Sequence, residues 1–168
     1  MNLSKQRVAW IGLALIFTGW SFATAPPTPP ENERVINAYI GYLKKFDSNG
    51  MLSLMDEAVV YEDPTYGTEI VGKESVTQLL SGMEKVLKQM HIVDQHFYIS
   101  NSVGVFVATI AITMNLSPDD PKAEPGLLHS TMVFVVRAKD GKITRHTDLA
   151  NYKSLDAQVE TGKKRPTN

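Results

Sequence analysis

An α+β fold is predicted by three features of the chain. Apolar residues recur at helical spacing in two segments of the first half, the period changes to two from His91 onward, and Asp140-Gly141 near the end is a strong hairpin signal. Helices first and a strand meander last imply a curved antiparallel sheet wrapped around long helices.

The first 23 residues read as an export signal rather than as part of this domain. Lys5 and Arg7 form a basic start, and Val8 to Trp20 is an apolar run of 13 residues, short for the ~20 that span a bilayer. Small residues at Ser21-Phe22-Ala23 or Ala23-Thr24-Ala25 offer a cleavage site; a cut after Ala23 is favoured because Pro26 directly follows Ala25. The alternative is an uncleaved membrane anchor. Residues 24–30 are Pro-rich and form no ladder, so they read as an extended linker before a domain spanning residues 31–155.

The first helix is expected to begin at Pro29 or Pro30 with Thr28 as its cap, and Val35, Tyr39, Tyr42, Leu43 and Phe46 mark its buried face. Asp47-Ser48-Asn49-Gly50 stops it. A short helix over 51–56, a strand over 59–62 and a helix over 75–89 follow, the last turning Val76, Leu79, Leu80, Met83, Val86 and Leu87 inward. Period-two runs predict strands over 92–100, 103–116, 127–139 and 142–152, with a tight turn at Asn101-Ser102 and a surface loop over 118–126. Residues 156–168 read as a flexible tail.

A two-residue turn at Asp140-Gly141 sets Lys139 opposite Lys142, so Val135 is expected to pair with His146, Val133 with Asp148, Thr131 with Ala150 and His129 with Tyr152. His146 and Asp148 then share a wall. The other face, with Ser130, Met132, Phe134, Val136, Thr147 and Leu149, is apolar enough to suggest a two-fold dimer. His129 lies about 20 Å from His146 at roughly 3.3 Å per residue, too far to share a metal. No metal site and no cofactor are expected.

Composition narrows the partners. The chain carries 17 basic and 18 acidic residues, and loss of Lys5 and Arg7 with the signal leaves 15 and 18. A net charge near −3 argues against nucleic acid and against stable membrane association after cleavage. Zero cysteines exclude disulfides and thiol chemistry.

Tyr61-Glu62-Asp63-Pro64-Thr65-Tyr66-Gly67, followed by Gly72-Lys73-Glu74-Ser75 and a helix, resembles the SnoaL-like and ketosteroid-isomerase-like family of the nuclear transport factor 2-like superfamily. The resemblance covers about residues 30 to 155 and implies a cone-shaped α+β barrel with one central cavity. It also implies roles. Asp63 falls on the place of the catalytic base, and Tyr39 on that of the tyrosine donating to developing negative charge, a pairing for which ketosteroid isomerase is itself a standard example. The family's second donor, a protonated acid on the penultimate strand, has no acidic counterpart between Leu127 and Val136.

Asp148 beside His146 offers a second acid/base pair on the last strand. Tyr61, Tyr66, Phe97, His129, Thr131 and Val133 are the expected substrate-binding residues. Each catalytic candidate has a structural alternative: a core hydroxyl for Tyr39, turn chemistry for Asp63 before Pro64, and a sheet-stabilising hydrogen bond for His146 with Asp148. Two functions follow, an isomerase or cyclase acting on a small carbonyl compound by proton transfer, and a non-catalytic ligand-binding module.

Export is expected to deliver a periplasmic or secreted protein without tryptophan, since Trp10 and Trp20 both precede Ala23. Protein recovered from the periplasm should show tyrosine-only emission, and an intact mass retaining residues 1–23 would overturn the cleavage reading.

Overall fold

The structure is a computed structural model that describes residues 30–115 and 125–163. The expected signal, most of the expected linker with Thr28, the greater part of the expected 118–126 loop and the last five residues lie outside the described residues. In chain order the elements are α1 (Glu31–Leu43), α2 (Ser48–Leu54), β1 (Met55–Asp63), β2 (Thr68–Val71), α3 (Lys73–Val86), β3 (Leu87–Ser100), β4 (Val103–Met114), β5 (Gly126–Lys139), β6 (Lys142–Ala150) and α4 (Tyr152–Lys163). Among them no helix is long and apolar enough to cross a membrane.

Helix boundaries follow local chemistry. Pro30 precedes α1 without a side-chain cap, and Glu31 and Glu33 in its first turn complement the positive end of the helix dipole. Phe46 turns the chain at φ 50°, after which Asp47 accepts the Gly50 N–H at 2.9 Å. The residues expected to end the first helix therefore start α2, three positions earlier than the sequence suggested. Gly72, at φ 93°, opens α3, and Leu87 enters β3 at once, which shortens the expected 75–89 helix.

The sheet runs β2-β1-β6-β5-β4-β3, curved and unclosed, with every pairing antiparallel except β1 with β6. Asn101 and the Asp140-Gly141 pair adopt positive φ and close the β3–β4 and β5–β6 hairpins as read from sequence. The inner face buries Phe106, Ile110, Phe134, Val136, Val59 and Ile143 against Ile36, Tyr39, Ile40 and Leu43 of α1 and Val76 and Leu80 of α3. Ile36 and Ile40, rather than Val35 and Tyr42, form the deepest stripe of α1. Gly104 makes this closeness possible, because a Cβ there would come within 2.4 Å of the Ile36 Cγ2.

One residue alters the expected register. Arg137 pairs with Arg145 but Ala138 pairs with Ile143, so Thr144 is an extra residue on β6. Beyond this bulge Val136 faces His146, Phe134 faces Asp148 and Met132 faces Ala150. A one-residue slip exchanges the two faces of β5. Ser130, Phe134 and Val136, expected outward, are buried inward, whereas His129, Thr131 and Val133, expected on the inner wall, lie on the outer face. Tyr152, expected to end the last strand opposite His129, instead begins α4, which continues through residues read as a flexible tail.

Candidate active site

β1 and β6 lie side by side in register, Tyr61 beside His146, and α1 crosses above them. Three elements thus bring four polar side chains together at the inner face. Tyr39 from α1 meets His146 Nδ1 at 2.7 Å. His146 Nε2 meets Asp148 Oδ1 at 2.5 Å, and the Tyr61 hydroxyl donates to Asp148 Oδ2. With Asp148 ionised, the His146 Nε2–H donates to it, and Nδ1 is left to accept the Tyr39 proton.

The imidazole is fixed on three sides. Tyr61 stacks on it with centroids 4.5 Å apart and planes within 5°, while Phe134 and Tyr39 present edges at 5.9 and 5.6 Å. His146 and Tyr39 are fully buried, whereas Asp148 keeps 7 % exposure. Burial, and then the Asp148 charge, hold the Tyr39 and Tyr61 phenols well above their ordinary value, so both stay protonated.

A second group sits at the end of β1. Asp63 Oδ1 accepts the N–H groups of Thr65 and Tyr66 at 3.0 and 3.3 Å, as aspartate does in a tight turn. Burial, and then the neighbouring Asp63 and Asp148 carboxylates, raise the Tyr152 phenol above its ordinary value. Tyr66 is exposed, its ring 4.6 Å from Tyr152 and its hydroxyl 3.1 Å from Asp156 of α4.

Of the remaining sequence candidates, Phe97 turns inward edge-on to Phe106, at 6.4 Å. His129 is exposed, Thr131 shares a hydrogen bond with Thr109 at 3.1 Å, and Val133 lies half-buried on the outer face. None of these three borders Asp148. Sequence reasoning missed Tyr152 as a neighbour of the site, and Phe134 as the ring beside His146. The bulge conceals Phe134, whereas Tyr152 follows Asp148 at i+4 and was assigned to the strand. A polar groove of about 300 Å³ lined by Asp56, Lys139, Asp140, Lys142 and Thr144 lies at the β5–β6 turn, away from this network.

The model of the SnoaL-like domain matches residues 36–146, which include β1, the first half of β6 and three of the four residues of the network, Asp148 lying two residues beyond. The chain belongs to the SnoaL-like domain family. Solved SnoaL-like structures repeat the architecture at low identity. A protein from Shewanella denitrificans OS-217 assigned as a SnoaL-like polyketide cyclase is 15 % identical, with a TM-score of 0.67 over 79 % of this chain and 99 % of its own. One from Xanthomonas campestris pv. campestris, assigned as a polyketide cyclase, is 18 % identical, with a TM-score of 0.64 over 77 % of this chain and 96 % of its own. A ketosteroid isomerase-like protein from Catenulispora acidiphila DSM 44928, in complex with trimethylamine, is 18 % identical, with a TM-score of 0.60 over 83 % of this chain and all of its own. A comparison with curated proteins gives no match.

The network makes the SnoaL-like domain sensitive to alkali. The unfolded chain loses the Tyr39 and Tyr61 protons near pH 10 while the folded chain keeps them, so the stability they support is complete below that pH and falls above it. Each phenol should contribute a slope of about 1.4 kcal/mol per pH unit. Urea denaturation from pH 8 to 11.5 should show this decline, and Tyr61→Phe should flatten it while costing about 1–3 kcal/mol at pH 8 by leaving an Asp148 oxygen unpaired. An equally steep limb in the variant would refute the assignment.

Proposed function

We propose that this chain is an acid/base isomerase or cyclase for a small apolar carbonyl compound, with Asp148 as the proton carrier. The observation that supports it is a carboxylate on the inner face, held by His146 and Tyr61 and, like Tyr61, not wholly closed off, whereas His146 and Tyr39 are. Asp148 would take a proton from the carbon next to a carbonyl. The neutral phenols nearby would then donate to the oxygen that gains negative charge. Asp63 is the second candidate, but its Oδ1 already serves two backbone N–H groups. The polyketide cyclase assignments of the Shewanella and Xanthomonas proteins agree with this class of chemistry.

One observation favours a non-catalytic binding module instead. Tyr39, His146, Asp148 and Tyr61 satisfy one another, so the network requires no ligand to complete it. Deuterium exchange next to the carbonyl, across a panel of small cyclic ketones and lactones, separates the two. Asp148→Asn should lower exchange by about 10²-fold or more, with binding retained in calorimetry. Wild-type protein that binds several of these compounds and exchanges none would establish the binding reading.

Export with cleavage after Ala23 is part of the same proposal, and so is a homodimer. The support for a dimer is the outer-face stripe of Tyr98, Val105, Val107, Val133, Val135 and Leu149, aligned across four strands with Tyr98 64 % exposed. Light scattering should give twice the chain mass, and Val133→Glu should return it to the monomer. A monomeric wild type at tens of micromolar would refute the pairing.

A further inference from the structure

Asp148 is nearly closed off from water, yet a ligand must reach it if the proposed function holds. Two residues past Asp148 β6 ends and the chain continues into α4, whose first residue, Tyr152, lies within reach of the Asp148 charge. This helix follows β6 after one residue, Asn151, whose carbonyl accepts the N–H groups of Ser154 and Leu155 at 3.0 and 3.2 Å and whose Oδ1 also accepts that of Ser154. From this cap the chain turns back toward the β1–β2 turn and β5.

Side chains at the β1–β2 turn and on β5 help to hold α4 there. At the β1–β2 turn, Tyr66 donates to Asp156 and packs its ring against Tyr152. On β5, the Gln158 side chain binds both backbone groups of His129: Oε1 accepts its N–H at 2.8 Å, and Nε2 donates to its carbonyl at 2.9 Å. β6 has ended opposite Met132, so the amide of Gln158 substitutes for a missing strand. The hydrogen bonds of both attachments lie at the surface. None of residues 152–160 is fully buried, whereas α1 buries four side chains. A segment fastened in this way opens far more readily than the sheet beneath it.

We propose that α4 is a hinged lid over Asp148, turning at Asn151 and latched by Tyr66 and Gln158. Tyr152 is the part of the lid that enters the site. It lies between the turn that holds Asp63 and the end of β6 that carries Asp148, and it leaves with the helix when the latches release. Closure excludes water around the carboxylate, and opening admits the ligand.

Carboxyl footprinting of the full chain with a water-soluble carbodiimide and glycine ethyl ester tests the lid by access rather than turnover. An Asp148 that proves to transfer no proton therefore leaves this test intact. Tyr66→Ala and Gln158→Ala should each raise Asp148 labelling about 3- to 10-fold, the change in an opening equilibrium expected from losing one or two exposed hydrogen bonds. Glu62, which binds Arg145 and Thr147 on the outer face, serves as the control and should not change. In hydrogen exchange, amides of 152–160 should exchange faster than those of β4 to β6 in the wild type, and faster again in both variants. Unchanged Asp148 labelling in both variants, or α4 amides that exchange only in step with β6, would overturn the proposal.

Discussion

A carboxylate withdrawn from water has to recover in hydrogen bonds what it loses in hydration, and the placement of Asp148 imposes that requirement on three elements at once. Tyr61 must come from β1, His146 from two residues before Asp148 on β6, and Tyr39 from α1 to occupy the imidazole nitrogen that Asp148 leaves free. If β1 slipped by one residue against β6, Tyr61 would turn to the outer face and one carboxylate oxygen would be left without its partner. Polar satisfaction thus fixes a register that apolar packing alone would hold less tightly.

The outer face of the same two strands follows the same logic in milder form. Glu62, next to Tyr61, accepts from Arg145 and Thr147, the neighbours of His146. Each strand therefore alternates between a buried network on one side and a part-buried one on the other, and a slip would break both. The part-buried set contributes less, because water can reach and partly replace its bonds.

Much of this was readable in the sequence, for physical reasons that differ by element. Helical spacing put Tyr39 on the inner face of α1, and the strand period put His146 and Asp148 on one side of β6, because both arguments need only local geometry. The pairing of β5 with β6 could not be read in the same way. Thr144 is an ordinary strand residue, and nothing in its neighbours marks it as a bulge, yet it reverses the faces of β5. That reversal moved His129, Thr131 and Val133 outward and brought Phe134 against His146. The C-terminal helix was hidden differently: Ser154, Asp156, Val159, Thr161 and Gly162 give it weak intrinsic propensity, and its fastening depends on Tyr66 and His129, 90 and 29 residues distant from their partners.

The parallel pairing of β1 with β6 also determines when the molecule can become itself. Tyr61 and His146 are neighbours in the sheet but 85 residues apart in the chain, and the elements between them form mainly sequence-adjacent hairpins. The meander of β3 to β5 can condense early from short loops, whereas β1 waits with one edge unpaired until β6 has been made. On that order the site is assembled last, and until then β1 lacks its β6 partner and the Tyr61 hydroxyl has no Asp148 to bind.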